Sequence, residues 1–181
     1  MKPQEALALV KRYVSNRNLI KHMIAAQSCM RFLARHFGED EEAWALAGLL
    51  HDIDYERTES NPSQHGLVSA EILKDYGLDQ EILHAVVAHT GRIERTSRMA
   101  KALYCVDPLT GLVVASALMH PTGRVQSLDC EFVMRRFKEK RFAQGANREQ
   151  IRECRELGLS LDEFIELCLE GMREVASELG L

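Results

Sequence analysis

Six side chains of this sequence have the right chemistry to act together on a metal ion: His22, His51, Asp52, His65, His89 and Asp107. Imidazole nitrogens and carboxylate oxygens form a mixed donor set that suits iron, manganese, nickel, cobalt or zinc, leaves magnesium open, and is less natural for calcium. The centre of the series is His51-Asp52. It follows the apolar stretch Ala43-Trp44-Ala45-Leu46-Ala47-Gly48-Leu49-Leu50, so one nitrogen and one oxygen ligand emerge together where a buried helix ends, on a rigid support. Taken singly, a buried histidine such as His22 or His65 is more often a satisfied core residue. The ordered set is what points to metal chemistry; spacing alone is a moderate signal, since the gaps are long and no short zinc motif such as H-E-x-x-H is present. His84 falls on a different side of its helix from His89, and His36 and His120 read as structural or solvated. The sequence has no Gly-rich phosphate loop, no G-x-S-x-G elbow and no Cys-His nucleophile pattern.

Positioning such donors requires elements that converge, and the sequence reads as all-α. Helical periodicity dominates, no alternating strand pattern is found, and there are only four prolines. A first helix is expected over Gln4 to Val14. A second runs from Leu19 to Phe37, with Asn18 as its N-cap and Gly38 as its stop, and places His22, Ala26, Cys29 and Leu33 on one inward stripe. A third begins after Asp40 and carries Leu46, Leu49 and Leu50 up to His51-Asp52. Ile53 to Ser63 reads as a polar loop beside the site. The fourth helix, Gln64 to Tyr76, has His65 in its first turn and stops at Gly77. Asp79 caps a fifth that ends near His89-Thr90-Gly91. Ser97 opens a sixth that leads through Leu103 and Val106 to Asp107, where Pro108 is expected to bend or restart it. After a break at His120-Pro121-Thr122-Gly123 come a basic helix around Arg135 to Arg141 and a helix over Asn147 to Leu157, with Asn147 and Gln150 at capping-box spacing. A second capping box, Ser160 to Glu163, opens an amphipathic helix to about Leu179. Helices facing one another in a bundle can supply convergent donors in this way.

At 181 residues, with 46% hydrophobic and 28% charged residues, the composition is ordinary for a soluble globular protein. A single domain over 1–181 is expected, with a core of about 19–118 and a helical extension of about 119–181 packed on it, since the tail's apolar positions need a surface to cover. The stripe Phe164, Leu167, Cys168, Met172 and Val175 should supply that contact, a homodimer seam being its alternative use. A net charge of −4 argues against a general nucleic-acid binder. The run Arg135-Arg136-Phe137-Lys138-Glu139-Lys140-Arg141 reads as solvated helix charge before it reads as a nucleic-acid patch, and it could instead border the cleft and attract an anionic substrate. The five cysteines are scattered without a C-x-x-C pair, as in a cytosolic protein with reduced thiols. Met1-Lys2-Pro3-Gln4-Glu5 lacks the apolar core of a signal peptide, and the nearly apolar run Leu109 to Met119 is too short to span a bilayer. The expected location is cytoplasmic, with no membrane partner.

The order H…HD…D, on helices of this arrangement, resembles the HD superfamily of metal-dependent phosphohydrolases. The resemblance begins at His22, takes in Leu49-Leu50-His51-Asp52-Ile53-Asp54, closes at Leu103-Tyr104-Cys105-Val106-Asp107, and covers roughly Leu19 to Leu118. His65-Gly66-Leu67-Val68-Ser69-Ala70 and His89-Thr90-Gly91 look like the two extra histidine motifs of several HD branches, among them the bis(5'-nucleosyl)-tetraphosphatase-like proteins. The whole chain, including Phe142-Ala143-Gln144-Gly145-Ala146-Asn147-Arg148, is similar to small predicted HD hydrolases of bacteria and archaea.

The resemblance implies an HD-domain helical bundle in which His22, His51, Asp52 and Asp107 bind a primary metal. His65 and His89 would either complete a second metal site, with Asp52 bridging, or contact substrate phosphate. Asp54 stands where several branches carry a glycine or lysine, which leaves open whether it positions a water or caps the loop. The implied activity is hydrolysis of a small phosphorylated molecule, a nucleotide or nucleotide-like phosphoester, by water activated on one or two divalent ions, with Asp52 and Asp107 as the catalytic carboxylates. Charge stabilisation matters more here than a side-chain nucleophile, since phosphate esters are very slow to hydrolyse unaided. Lys101, six residues before Asp107, is placed to reach the rim as a substrate contact, with Arg92, Arg95 and Arg98 as further candidates. Two alternatives stand beside the hydrolase: a non-catalytic nucleotide-binding signalling module and a di-iron oxygenase. An intact H…HD…D set favours the enzyme.

Overall fold

Glu56 decides where the second helix starts. Its carboxylate accepts from the backbone N–H groups of Ser15 (3.0 Å) and Asn16 (2.6 Å) and from the Ser15 hydroxyl, fixing the chain just ahead of the helix. Asn16, rather than Asn18, then acts as the N-cap, its Oδ1 accepting from the N–H of Asn18 at 2.9 Å. In the computed structural model, which describes residues 1–181, this helix is α2 (Arg17–Phe37). It follows α1 (Pro3–Tyr13) and precedes α3 (Glu41–Leu50), α4 (Tyr55–Thr58), α5 (Leu67–Leu73), α6 (Gln80–Ala88), α7 (Arg98–Met119), α8 (Cys130–Lys138), α9 (Arg148–Arg152), α10 (Leu161–Glu174) and α11 (Ala176–Leu179). There is no strand, and the all-α expectation holds.

The bundle is built around α2, which packs against α3, α7 and α10. Contact with α3 is very close at Gly48: a Cβ there would lie 2.7 Å from the Ala26 carbonyl oxygen, so only glycine lets the two helices approach this far. That approach brings the end of α3, and His51 with it, alongside His22. On another side of α2, the Ser28 hydroxyl donates to the Gly171 carbonyl of α10 at 2.8 Å. Phe164, Cys168 and Met172 of α10 are buried and Leu167 and Val175 half-buried, so the C-terminal stripe does pack on the bundle. Complete burial of Phe164 contributes about 1.5–3 kcal/mol. One hydrophobic core runs from Ala6 to Leu179 without interruption.

Several local expectations change. Pro62–Gln64 forms a 3-10 turn, and α5 starts only at Leu67, so His65 precedes its helix instead of standing in the first turn. Pro108 does not restart its helix, since α7 continues through it to Met119. The N–H that proline lacks would have bonded the Tyr104 carbonyl, and the Gln150 side-chain amide donates to that oxygen instead, at 2.6 Å. Gln150 is therefore not free to close a capping box, and Asn147 caps α9 alone, accepting from Glu149 and Gln150 N–H. Residues 153–157 form a 3-10 turn rather than continuing that helix. The basic helix begins earlier than expected, at Cys130, and leaves Lys140 and Arg141 outside it. Ser160 and Glu163 do form their capping box, but α10 ends at Glu174. By length and composition α7 is apolar enough to cross a membrane, beyond what the run Leu109 to Met119 indicated. More than half of it, 56% over its most apolar window, is buried inside the bundle.

Candidate metal centre

Five elements deliver six donors to one point. His22 comes from the second turn of α2, His51 and Asp52 from the end of α3, His65 from the turn before α5, His89 from the end of α6, and Asp107 from the middle of α7. His22 Nε2 lies 3.1 Å from His51 Nε2, 3.2 Å from Asp107 Oδ1 and 3.5 Å from Asp52 Oδ2. His51 Nε2 is 3.4 Å from the same Asp52 oxygen. The other oxygen of Asp52, Oδ1, faces His65 Nε2 at 3.4 Å and His89 Nε2 at 3.5 Å, and those two nitrogens are 3.1 Å apart. Asp52 therefore turns one oxygen to each of two donor groups.

Every imidazole has its other nitrogen committed. Nδ1 of His51 meets the Gly48 carbonyl at 2.8 Å, and Nδ1 of His89 the Val86 carbonyl at 2.5 Å. A carbonyl only accepts, so the ring proton belongs on Nδ1. Nδ1 of His65 meets Asp54 Oδ1 at 2.8 Å, with the same consequence. Nδ1 of His22 meets Thr110 Oγ1 at 2.8 Å, and because that hydroxyl donates to the Asp107 carbonyl, it accepts from His22. With Nδ1 engaged in each ring, all four imidazoles aim Nε2 at the oxygens of Asp52 and Asp107. Lone pairs cannot face one another at 3.1 Å without a cation between them, whether proton or metal.

The spacing fits metal ions. Donors about 2.0–2.2 Å from a divalent ion at adjacent coordination positions lie about 3.0–3.5 Å from each other. The donor chemistry fits as well, and His22, His51 and Asp107 form one compact group while His51, Asp52 and His89 form another. Without an ion, the protein's own charges carry the strain. Burial opposes a charged His22, but hydrogen bonds to Asp107 and Asp52 outweigh it and raise its pKa to about 10. Burial likewise opposes charge on Asp52, yet the neighbouring His51, His22 and His89 hold its carboxyl well below the usual range. Asp107 is shifted down in the same way, against its burial, by His22 and His51.

Exposure shows where the centre opens. His51 is completely buried, whereas the side chains of His22 and Asp107 are 23% and 31% exposed. Three cavities reach His22. One, of about 390 Å³, lies over Asp52 beside Tyr55, Glu56 and Glu59. A second, of about 280 Å³, lies over Asp107 and Pro108 and is closed by Ala143, Gly145 and Ala146. The third, of about 440 Å³, runs between α2, α7 and α11.

The structure brings His22, His51, Asp52, His65, His89 and Asp107 together and leaves Lys101 out, its ammonium lying 3.7 Å from Glu156. The three arginines proposed from sequence are engaged elsewhere. Arg92 donates to the carbonyls of Pro62 and His65, Arg95 pairs with Glu153 and stacks over Tyr104, and Arg98 pairs with Glu39. His84 bonds the Glu94 carbonyl, away from the centre. Asp54 is fully buried and accepts from His65 Nδ1 and from the N–H groups of Gly66 and Ser69, which settles it as an anchor of His65 and α5. Gly66 holds φ at +82° to make that turn. Thr110, one turn after Asp107, was not singled out in the sequence, where a threonine in an apolar helix carries no signal of its own.

Comparisons with known proteins agree with this arrangement. The family model described as HD domain matches residues 19–135. Ribonuclease Y of Oleidesulfovibrio alaskensis is 30% identical over 96 residues, which are 53% of this chain and 18% of that protein. Ribonuclease Y of a Sulfurovum species is 27% identical over 135 residues, 73% of this chain and 26% of that protein. Ribonuclease Y of Thermosipho melanesiensis is 31% identical over 93 residues, 51% and 18% respectively. The chain thus spans about a fifth to a quarter of the length of these relatives. No solved structure matches.

Proposed function

The chain belongs to the HD-domain family, and on that premise we propose that it is a metal-dependent phosphohydrolase with a two-ion centre, acting on a small phosphorylated molecule such as a nucleotide. The observation that carries this reading is the division of Asp52, whose Oδ2 faces His22 and His51 while its Oδ1 faces His65 and His89. His22, His51, Asp107 and Asp52 would hold one ion, and His65, His89 and Asp52 the other. Bound ions would lower the pKa of water and neutralise charge on phosphoryl oxygens. The chain's own part is positional. His51 and His89 are locked at the buried end by Gly48 and Val86 carbonyls, Asp54 aims His65, and Thr110 aims His22. His22 and Asp107 form the open edge, where a phosphate would arrive.

The test is metal content after purification without chelator, then phosphate release with added manganese, cobalt, nickel, iron or magnesium across a phosphoester panel. Asp52→Ala should lose both ions and nearly all activity. Full metal content with full activity in that variant would end the proposal. Nucleotide binding without turnover under any metal would favour a signalling module instead.

A second reading, cleavage of RNA, has one observation in its favour beyond the names of the relatives. A groove of about 680 Å³ lined by Lys138, Lys140, Arg148 and Arg152 shares Gly145 and Ala146 with the cavity over Asp107. Phosphodiester strands bind along such cationic surfaces with steep salt dependence. Cleavage of a short RNA oligonucleotide that is lost in Lys138→Ala/Lys140→Ala, beside unimpaired monoester hydrolysis, would favour this second reading.

A further inference from the structure

The three cavities that meet at His22 differ in charge. Glu56 and Glu59 make the one over Asp52 acidic, and the one over Pro108 has no charged residue beyond Asp107 and His22. The third has His22 at one end, an apolar wall of Val114, Leu118 and Leu179, and Lys21, whose ammonium lies against Gly180. Lys21 is the one lysine or arginine lining any of the three, and unlike Lys101, which Glu156 holds, it enters no ion pair. At about 440 Å³, the cavity falls within the range of small-molecule sites.

We propose that this cavity seats the organic group of a phosphate monoester, a largely apolar body of nucleoside size, and that Lys21 holds the ester's phosphate at the edge formed by His22 and Asp107. The proposal rests on the phosphohydrolase reading and deepens it by giving a substrate class. A phosphate monoester carries about −1.5 to −2 near pH 7, less than a diphosphate or triphosphate, and so asks least of a cavity with one lysine. Within the three cavities, the further charges of a triphosphate would face either the apolar wall or the carboxylates of Glu56 and Glu59, where unpaired charge is strongly disfavoured, and only the separate groove of Lys138 and Lys140 could meet them. Gly111 marks the corner shared by this cavity and the one over Pro108. A Cβ built on it meets nothing within 4 Å, so a larger side chain there would grow into open space without disturbing the helix. Replacing an interior helix glycine also favours the helix itself.

The experiment compares steady-state phosphate release from adenosine monophosphate, adenosine triphosphate and glycerol phosphate by the manganese-loaded protein. The wild type should prefer adenosine monophosphate over both others by about tenfold or more in kcat/KM, the scale on which an apolar pocket discriminates. Gly111→Leu, and Leu118→Glu at a position 66% exposed, should each lower the ratio of adenosine monophosphate to glycerol phosphate about tenfold. Lys21→Met should raise KM for both monoesters with ion content unchanged, whereas Lys101→Met should change neither. An unaltered ratio in Gly111→Leu and Leu118→Glu, or a preference for the triphosphate, overturns the proposal. If the wild type hydrolyses no phosphoester with any metal, the phosphohydrolase reading fails on its own. Calorimetric binding of adenosine monophosphate then tests the seat separately: binding that Gly111→Leu abolishes sustains it, and absence of binding to the wild type overturns it.

Discussion

Nδ1 of His65 donates to Oδ1 of Asp54 across 2.8 Å, while Oδ2 of the same carboxylate accepts from the N–H groups of Gly66 and Ser69, each at 2.9 Å. One buried carboxylate therefore aims the His65 imidazole at Asp52 and pins the start of α5. Burial opposes its charge, but the bond from His65 and those from Ser69 outweigh that and hold the Asp54 carboxyl below the usual carboxylate range.

Asp54→Asn keeps the shape and removes one acceptor, so one of the three donors loses its partner. Affinity for the ion at His65 and His89 should fall about 10–100-fold, the usual effect of losing a partner behind a ligating histidine. Stability should fall by about 1–3 kcal/mol for the buried donor left unsatisfied. Stepwise metal titration and urea unfolding measure the two effects. Unchanged affinity for the second ion would show that His65 needs no such support.

Gly48→Ala should cost about 1–3 kcal/mol or more, because its Cβ would press on backbone atoms of Ala26 and Gln27 that have no rotamer to yield. Moving α3 away from α2 also separates His51 from His22, so ion binding should weaken along with the melting temperature. Thermal unfolding with and without metal separates the packing loss from the ligand loss.

In the metal-free protein, stability should decline from about pH 6.5 upward. The folded pKa of His22, about 10, lies above its ordinary value of 6.5, so the protonated ring stabilises the fold. That contribution is complete below pH 6.5 and is lost as pH rises through about 10. A bound ion takes the proton's place, so the loaded protein should show no such decline, and loading at pH 8 should release protons into an unbuffered solution. Melting temperatures across this range, with metal and with chelator, check the sign.

Arg148 donates to the carbonyls of Phe137, Phe142, Ala143 and Ala146, gathering residues 142–146 into the wall of the cavity over Asp107. Arg148→Met should release that loop. Trypsin should then cut at Lys140 or Arg141 faster than in the wild type, and hydrolysis should slow with ion content unchanged. Equal digestion rates would mean that the loop holds its shape unaided.

The convergent donors were readable because His51-Asp52 closes an apolar helix within an ordered set, and because His22 and Asp107 fall on inward faces of regular helices. The supports were not readable in the same way. Asn16 and Asn18 are equally good caps by sequence, and Glu56, forty residues away, chooses between them. Nothing local shows that Gln150 would replace the N–H missing at Pro108, so a bend or restart of the helix was the natural expectation. Lys101 was judged by its distance along the helix, whereas Glu156, from a different part of the chain, decides which way it turns. Asp54 depended on a turn whose geometry is set by Gly66 and not by a periodic pattern.

Because both donor groups borrow the same carboxylate, their occupancies form a linked equilibrium. An ion held by His22, His51 and Asp107 draws on the charge of Asp52 and leaves less of it for the ion facing His65 and His89. The second ion should bind more weakly than the first, and since only the first group has a carboxylate of its own, scarce metal should collect there. On the two-ion reading, the population at limiting metal would then be singly loaded molecules, and activity would climb steeply only once metal is abundant.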